Sequence, residues 1–399
     1  MEYEIRYARP DEFAAVAELD GASFGLHYSE QELEEARLEI DAERVRVAAV
    51  GTQLIAVSGE LALRLTLPGG ADVPVQGLTW VSVEITHRRR GVLRSLVERQ
   101  LRDAAAAGLA ASALGASEAG IYGRYGFGVA TRTRQVSIAR QAARLARPVD
   151  VSAVRRLTTA DARDLLPGLY DRWRLRTPGA ISRGPRRWEH DLLDREHQRH
   201  GASGLFHLVH PDGYVTYRQR HVGVHEIRLR CQLIDYVTTT PQAHAALWQC
   251  LLALDLVDVI ETDRLPLDDP LPLLLTDARA VSTTELRDGL WVRPLDVSTL
   301  LGERRYGVEV DCVVGVRDPL LGDGRYRLRG GPDGADCFRT DAIPDITVDV
   351  ADLGSVVCGG PRLSGFVRVG RVEVADPARA ARLDLALLAD REPVRGTGF

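Results

Sequence analysis

Residues 80–93 read Trp80-Val81-Ser82-Val83-Glu84-Ile85-Thr86-His87-Arg88-Arg89-Arg90-Gly91-Val92-Leu93. An apolar strand ends, an arginine-rich loop with one glycine follows, and a helix starts at once. No other stretch restricts the fold as much. A helix start carries backbone N–H groups without intrahelical partners and the positive end of the helix dipole, so it attracts anions. Gly91 permits close backbone approach, and the arginines add charge and forked donors. A pyrophosphate is the natural ligand; a solvated arginine loop is the alternative that these residues leave open. The run is neither a Walker loop, which needs lysine, nor a G-x-G-x-x-G turn.

Lysine is missing from the whole chain, so all 51 basic residues are arginine, and asparagine is missing too. Codon bias accounts for both, yet Schiff-base and P-loop lysine chemistry are thereby excluded. The formal charge of -5 argues against a general nucleic-acid or anionic-membrane binder. With 45% apolar and 27% charged residues the composition is that of a globular protein, and 399 residues suggest two or three domains. The first thirteen residues lack an apolar signal-peptide core, and the apolar stretch 247–260 is broken by Asp255 and Asp258, so no membrane span is expected. Five dispersed cysteines read as reduced thiols and not as a disulfide framework or zinc site. The expectation is a cytoplasmic protein with no metal.

Periodicity divides the chain into three units, 1–145, 146–292 and 293–399. In the first, a strand (4–9) precedes helices at 11–19 and 29–40, the latter with Ser29 and Glu32 at capping-box spacing. Strands at 44–50, 54–67 and 73–83, a helix at 92–107, a small-residue strand at 110–116 and an arginine-rich strand at 131–138 complete a mixed α/β unit. The middle unit repeats this order loosely, with helices from Thr159, at 188–198 and at 242–254 among strands at 151–157, 205–210, 213–221, 226–237 and 257–262. It has no arginine-glycine loop. The third unit follows Trp291-Val292-Arg293-Pro294, with strands at 306–316 and 324–329 and a helix at 377–389.

A second run, Ser117-Glu118-Ala119-Gly120-Ile121-Tyr122-Gly123-Arg124-Tyr125-Gly126-Phe127, lies about one β-α-β unit after the arginine loop. An arginine loop opening a helix, then a tyrosine ahead of Gly-Phe, resembles the Gcn5-related N-acetyltransferases (GNAT). V-S-V-x-x-T-H-R-R-R-G-x-L together with S-E-x-G-I-Y-G-R-Y-G-F is similar to their enhanced intracellular survival (Eis) family. The match extends to W-V-R-P-L-D-V and to the aromatic last residue, Phe399, and so spans nearly the whole chain.

That resemblance implies two tandem GNAT folds with mixed sheets, the second without its cofactor loop. A C-terminal sterol-carrier-protein-like α/β domain would follow. It implies a homohexamer that moves acetyl from acetyl-CoA to amines of aminoglycoside type, at several positions. Backbone groups of Val81, Ser82 and Val83 would pair with the pantetheine arm and polarise the thioester. Arg88, Arg89, Arg90, Gly91, Val92, Leu93 and Arg94 would bind the pyrophosphate, and Ser117 and Glu118 would lie beside the cofactor on the next strand. Tyr122 would be the general acid, since a phenol stays protonated at neutral pH. The terminal carboxylate of Phe399 would be the base, and Tyr125 a packing residue. Two departures stand out: Ile85 occupies a position where many relatives have proline, and Gly398 offers no penultimate side chain to a substrate.

His190, His197, His200, His207 and His210 lack metal-ligand spacing, and Gly330 to Gly334 reads as a hairpin turn. The acidic run 30–43 reads as an exposed helix face that could attract cationic substrates. The expected function is an acetyl-CoA-dependent N-acetyltransferase for polycationic small-molecule amines. A non-catalytic acyl-CoA or lipid binder and a protein lysine acetyltransferase are the alternatives.

Overall fold

Strand pairing explains how this chain builds its site. The computed structural model describes residues 2–223 and 226–399. They form two compact units: one comprises 1–131, 178–182 and 289–399, the other 132–177 and 183–288.

The first unit holds strands β1 (Glu4–Tyr7), β2 (Val45–Val50), β3 (Gln53–Thr66), β4 (Asp72–Val83), β5 (Ala111–Leu114) and β6 (Gly128–Val129). Strand Trp291–Pro294 inserts between β5 and β6, giving a seven-stranded sheet. β1 to β4 are antiparallel neighbours, whereas β5 runs parallel to β4 after the crossover helix α3 (Val92–Ala106). Helices α1 (Phe13–Phe24) and α2 (Glu30–Glu39) pack on the face carrying Val45, Val47 and Val57. α3 packs on the other face, its Val92 and Leu96 against Ala48, Ile55 and Ala56. The Ser29–Glu32 capping box forms as expected, with Ser29 Oγ accepting from Glu32 N–H.

A five-stranded sheet in the same unit has the order Gly334–Arg339, Gly324–Gly331, Val310–Arg317, Ile346–Asp349, Glu373–Val374. Its first two strands are the hairpin expected at the glycine-rich turn. Helix Val350–Val356 then sits against β6 and Trp291–Pro294. Glycine makes this possible: a Cβ on Gly128 would fall 1.8 Å from Ala351 O, and one on Gly354 2.1 Å from Val292 O.

The second unit has its own seven-stranded sheet, running Val281–Asp288, Arg132–Ala139, Val257–Leu265, Leu229–Thr238, Gly213–His221, Phe206–His210, Arg155–Leu157. Three expectations are corrected. The arginine-rich strand, read as closing the first unit, pairs here with Val257–Leu265 and Val281–Asp288, because its buried Val136 and Ile138 belong to this core. Conversely, Trp291–Pro294, read as a join, is a strand of the first sheet. The single helix expected at 188–198 is instead Pro185–Asp191 followed by a 3-10 turn at Glu196–Arg199. Asp194 breaks it: its φ is +50°, and its carboxylate accepts from Arg199 and Leu205 N–H. Helix Pro241–Leu252 starts with proline and is capped by Thr240, which accepts from Ala243 N–H. That start therefore offers fewer free N–H groups than α3 does.

Candidate active site

β4 parts company with β5 halfway along. Their parallel register covers only Val75–Ala111, Gln76–Ser112 and Gly77–Ala113, while β4 continues to Val83. Ser112 Oγ donates to Gln76 Oε1 (3.0 Å) one ladder pair before the split. From Leu78 onward β4 keeps β3 on one side and has no strand on the other among the described residues. The backbone groups of Val81, Ser82 and Val83 flank this opening.

The same stretch is bent. Trp80 has φ +48°, and the β3–β4 register slips between Val57 and Gly59. The bulge sets Trp80 and Val81 of β4 opposite the single residue Ser58, whose polar groups would otherwise be stranded in the core. Gln100 of α3 answers both: its Oε1 accepts from Ser58 Oγ (2.6 Å) and its Nε2 donates to Ser58 O (3.1 Å). Both residues are fully buried. A side chain of the loop's own helix thus holds the bulge that opens the strand.

β4 leads through a 3-10 turn at Ile85–His87 into the arginine loop. Glu84 accepts from the N–H of Ile85 (3.0 Å), a bond that proline at this position would forbid. Arg89 and Gly91 take left-handed backbone angles (φ +61° and +83°), and Gly91 is the N-cap of α3. Arg88, Arg89, Arg90 and Arg94 are exposed, and none has a carboxylate partner among the described residues. Arg88 Nε donates only to Val83 O (3.2 Å). Unpaired cations around a helix start with no side-chain cap suit a pyrophosphate. Val92 is buried at the start of α3, and Leu93 is half-buried against the cluster of Leu78, Leu114 and Tyr122.

Ser117 and Glu118 are placed differently from the expectation. β5 ends at Leu114, so both lie in the exposed segment after it, Glu118 as N-cap of the short helix α4 (Ala119–Tyr122). α4 ends on Tyr122, which is 6% exposed and packs with Leu78, Leu114 and Trp291. Its ring meets Phe127 edge-on at 6.0 Å. Burial, with Glu118 adding, pushes its phenol up to about 12. Its hydroxyl has no hydrogen-bond partner among the described residues, so it is protonated and uncommitted. Tyr125 packs in the same cluster.

The C-terminal segment docks on this unit. Val394 N–H donates to Pro178 O (2.9 Å), Ile181 N–H to Arg395 O (3.1 Å), and Ile181 bridges Leu65 of β3. Thr397 is buried, and the Phe399 ring packs against Gly77 and Leu63: a Cβ on Gly77 would lie 3.1 Å from its Cε2. Phe399 is therefore seated on β4 where the split begins. Opposite Gly77 stands Leu61, which packs with α1 and α2, so this is the face turned to those helices.

One residue that motif reading missed is Asp20 in α1, 5% exposed and held by Ser82 Oγ at 2.7 Å. The signal was present, since position 20 falls on the buried stripe of Phe13, Val16 and Ala17. Among the histidines, His207 is structural, between Thr216 Oγ1 (2.9 Å) and Thr159 Oγ1 (3.2 Å).

Comparison with known proteins bears on what this geometry does. Models of an acetyltransferase (GNAT) domain match residues 4–130 and 179–294, and a sterol carrier protein domain model matches 297–396. N-acetyltransferase Eis of Mycobacterium tuberculosis is 36% identical over 348 residues, 86% of this chain and 85% of that protein. A Streptomyces coelicolor protein named as an uncharacterized N-acetyltransferase is 36% identical over 363 residues, covering 88% and 86%. The crystal structure of Eis1 from Mycobacterium abscessus superposes with a TM-score of 0.89 at 35% identity, over 99% of this chain and 100% of that one. A GCN5-related N-acetyltransferase from Anabaena variabilis has the same fold, with a TM-score of 0.86 at 17% identity and full coverage of both chains.

Proposed function

The chain belongs to the Eis family of GNAT N-acetyltransferases, and from that premise we propose that it moves acetyl from acetyl-CoA to primary amines of polycationic small molecules, aminoglycosides among them. The observation that carries this reading is the parting of β4 from β5 immediately before an arginine loop whose cations have no partners. GNAT acetyltransferases use acetyl-CoA, and the loop suits its pyrophosphate.

Direct transfer makes three demands on the chain. The free edge at Val81 to Val83 receives the amide-rich arm and polarises the thioester carbonyl, as an oxyanion hole does. The Phe399 carboxylate takes the ammonium proton of the acceptor, freeing the nitrogen lone pair to attack the carbonyl carbon. As the C–N bond forms and the C–S bond breaks, Tyr122 gives its phenolic proton to the departing thiolate. The nitrogen sheds its second proton to water as the amide forms, and water returns a proton to Tyr122 and removes the one held by Phe399. Direct transfer needs no metal.

In the C-terminal domain the apolar core encloses a void of about 10 Å³ among Leu301, Val314, Leu328 and their neighbours. That is room for about one water. The family resemblance also carries a homohexamer in the cytoplasm; sedimentation tests the assembly. The activity test is thiol release from acetyl-CoA with aminoglycosides and simple polyamines as acceptors. Failure to acetylate any of a broad amine panel would overturn the reading.

A further inference from the structure

Among the described residues, five of the seven buried acids are paired with an arginine or a histidine. Glu12 is paired with Arg6 and Arg9, Asp318 with Arg293, Asp352 with Arg371, Asp384 with Arg362, and Asp269 with His244. Glu35 accepts from Gln31 Nε2 at 3.2 Å. Asp20 has neither arginine nor histidine among the described residues. Its Oδ1 accepts from the Ser82 hydroxyl, and its Oδ2 has no partner there. A buried carboxylate without a counter-cation is costly, and it is left so in a chain with 51 arginines. Burial, with Glu39 adding to it, raises the Asp20 pKa, and the Ser82 bond opposes the shift without cancelling it.

Its surroundings are those of a cation site. Ser82 lies on the part of β4 that borders the opening, and it stands opposite Val57, on the face that turns to α1 and α2. The Phe399 ring, at Gly77, occupies the same face. The Tyr28 ring covers the next α1 residue, since a Cβ on Gly21 would lie 2.8 Å from it, and it stacks on Trp80 at 6.4 Å and 20°. Aromatic faces beside a desolvated carboxylate favour an ammonium group.

We propose that Asp20 is an ammonium-binding residue of the acceptor site, its Oδ2 accepting from a substrate N–H while Ser82 fixes Oδ1. The counter-cation missing from the fold is then the acceptor itself. This deepens the amine-acetyltransferase reading by naming a residue that decides which acceptors bind.

The test uses the full-length protein and its isosteric variant Asp20→Asn, which keeps an acceptor for Ser82 Oγ. Spermidine binding is measured by calorimetry with coenzyme A present, and KM values are measured for amine and acetyl-CoA separately. Loss of one charge-assisted bond should weaken spermidine binding and raise the amine KM about tenfold or more, with the acetyl-CoA KM unchanged. Equal spermidine affinity in the two proteins, no binding to the wild type, or an acetyl-CoA KM that rises in step would overturn the proposal. A wild type that binds spermidine through Asp20 yet acetylates nothing would keep this inference and sink the enzymatic reading.

Discussion

Arg293 Nη2 lies 2.7 and 2.8 Å from the two carboxylate oxygens of Asp318, and the arginine side chain is wholly buried. The same guanidinium donates from Nε to Tyr125 O (3.3 Å), three residues after Tyr122. Helix Val350–Val356 closes on the next turn, where a Cβ on Gly126 would meet Val350 Cγ1 at 2.8 Å. The C-terminal domain therefore buttresses the Tyr122 segment as well as carrying the terminal carboxylate. Asp318→Asn leaves a buried cation unpaired, which should cost about 3–5 kcal/mol of stability. In the protein that still folds, kcat should fall and the acetyl-CoA KM should not. Denaturant melts and steady-state kinetics check this, and an unchanged kcat removes the link to Tyr122.

Tyr122→Phe deletes a hydroxyl that no described residue bonds, so stability should change by less than about 1 kcal/mol. The kcat should drop by about 10²–10⁴, the usual loss for a positioned acid. The sign of its pH dependence follows from the raised phenol. An acid must be protonated to act, and with its pKa pushed up to about 12 it stays so across the working range. Any alkaline loss of kcat that begins near pH 9 must then come from another group, and it should persist in the small residual activity of the variant.

The sequence made the site's chemistry legible and its architecture only partly so. The arginine loop and Gly91 are local patterns and lie on the elements expected for them, whereas Ser117 and Glu118 of the Tyr122 run fall beyond the strand expected to carry them. Strand exchange was not legible, because Val136 and Ile138 alternate identically whether they face one core or another, and pairing partners more than a hundred residues away leave no periodic trace. Asp20 was hidden differently. An isolated acid in a helix has no motif, and only its place on the buried stripe of α1 marks it in the sequence.

The role of Phe399 predicts sensitivity at the terminus. One alanine added after Phe399 moves the carboxylate by about one residue length, roughly 3.5 Å, which removes a base held at hydrogen-bond reach. We expect kcat to fall by about 10²–10⁴ with acetyl-CoA affinity retained. Full activity in a C-terminally extended protein would refute the base assignment.

Neutralising the arginine loop should act on the other substrate. Arg89→Gln with Arg90→Gln takes away exposed cations that have no carboxylate partner, so folding should be little affected. The acetyl-CoA KM should rise about tenfold or more at low salt and the difference should shrink as salt is added, since these charges are solvent-screened. The KM of the amine should stay as it was.

Gln100 offers the sharpest separation of structure from chemistry, because it touches neither substrate in the proposed mechanism. Gln100→Leu keeps the volume but strands the hydroxyl and carbonyl of Ser58 in a fully buried position. That should cost about 1–3 kcal/mol. The bulge at Trp80 then loses its support, and relaxation of β4 toward regular pairing would narrow the opening beyond Gly77. The expected signature is a lower melting temperature with a raised acetyl-CoA KM, while Gln100→Glu, which keeps an acceptor for Ser58 Oγ, restores only part of it. If Gln100→Leu lowers stability but leaves the acetyl-CoA KM untouched, the bulge holds its shape without Gln100.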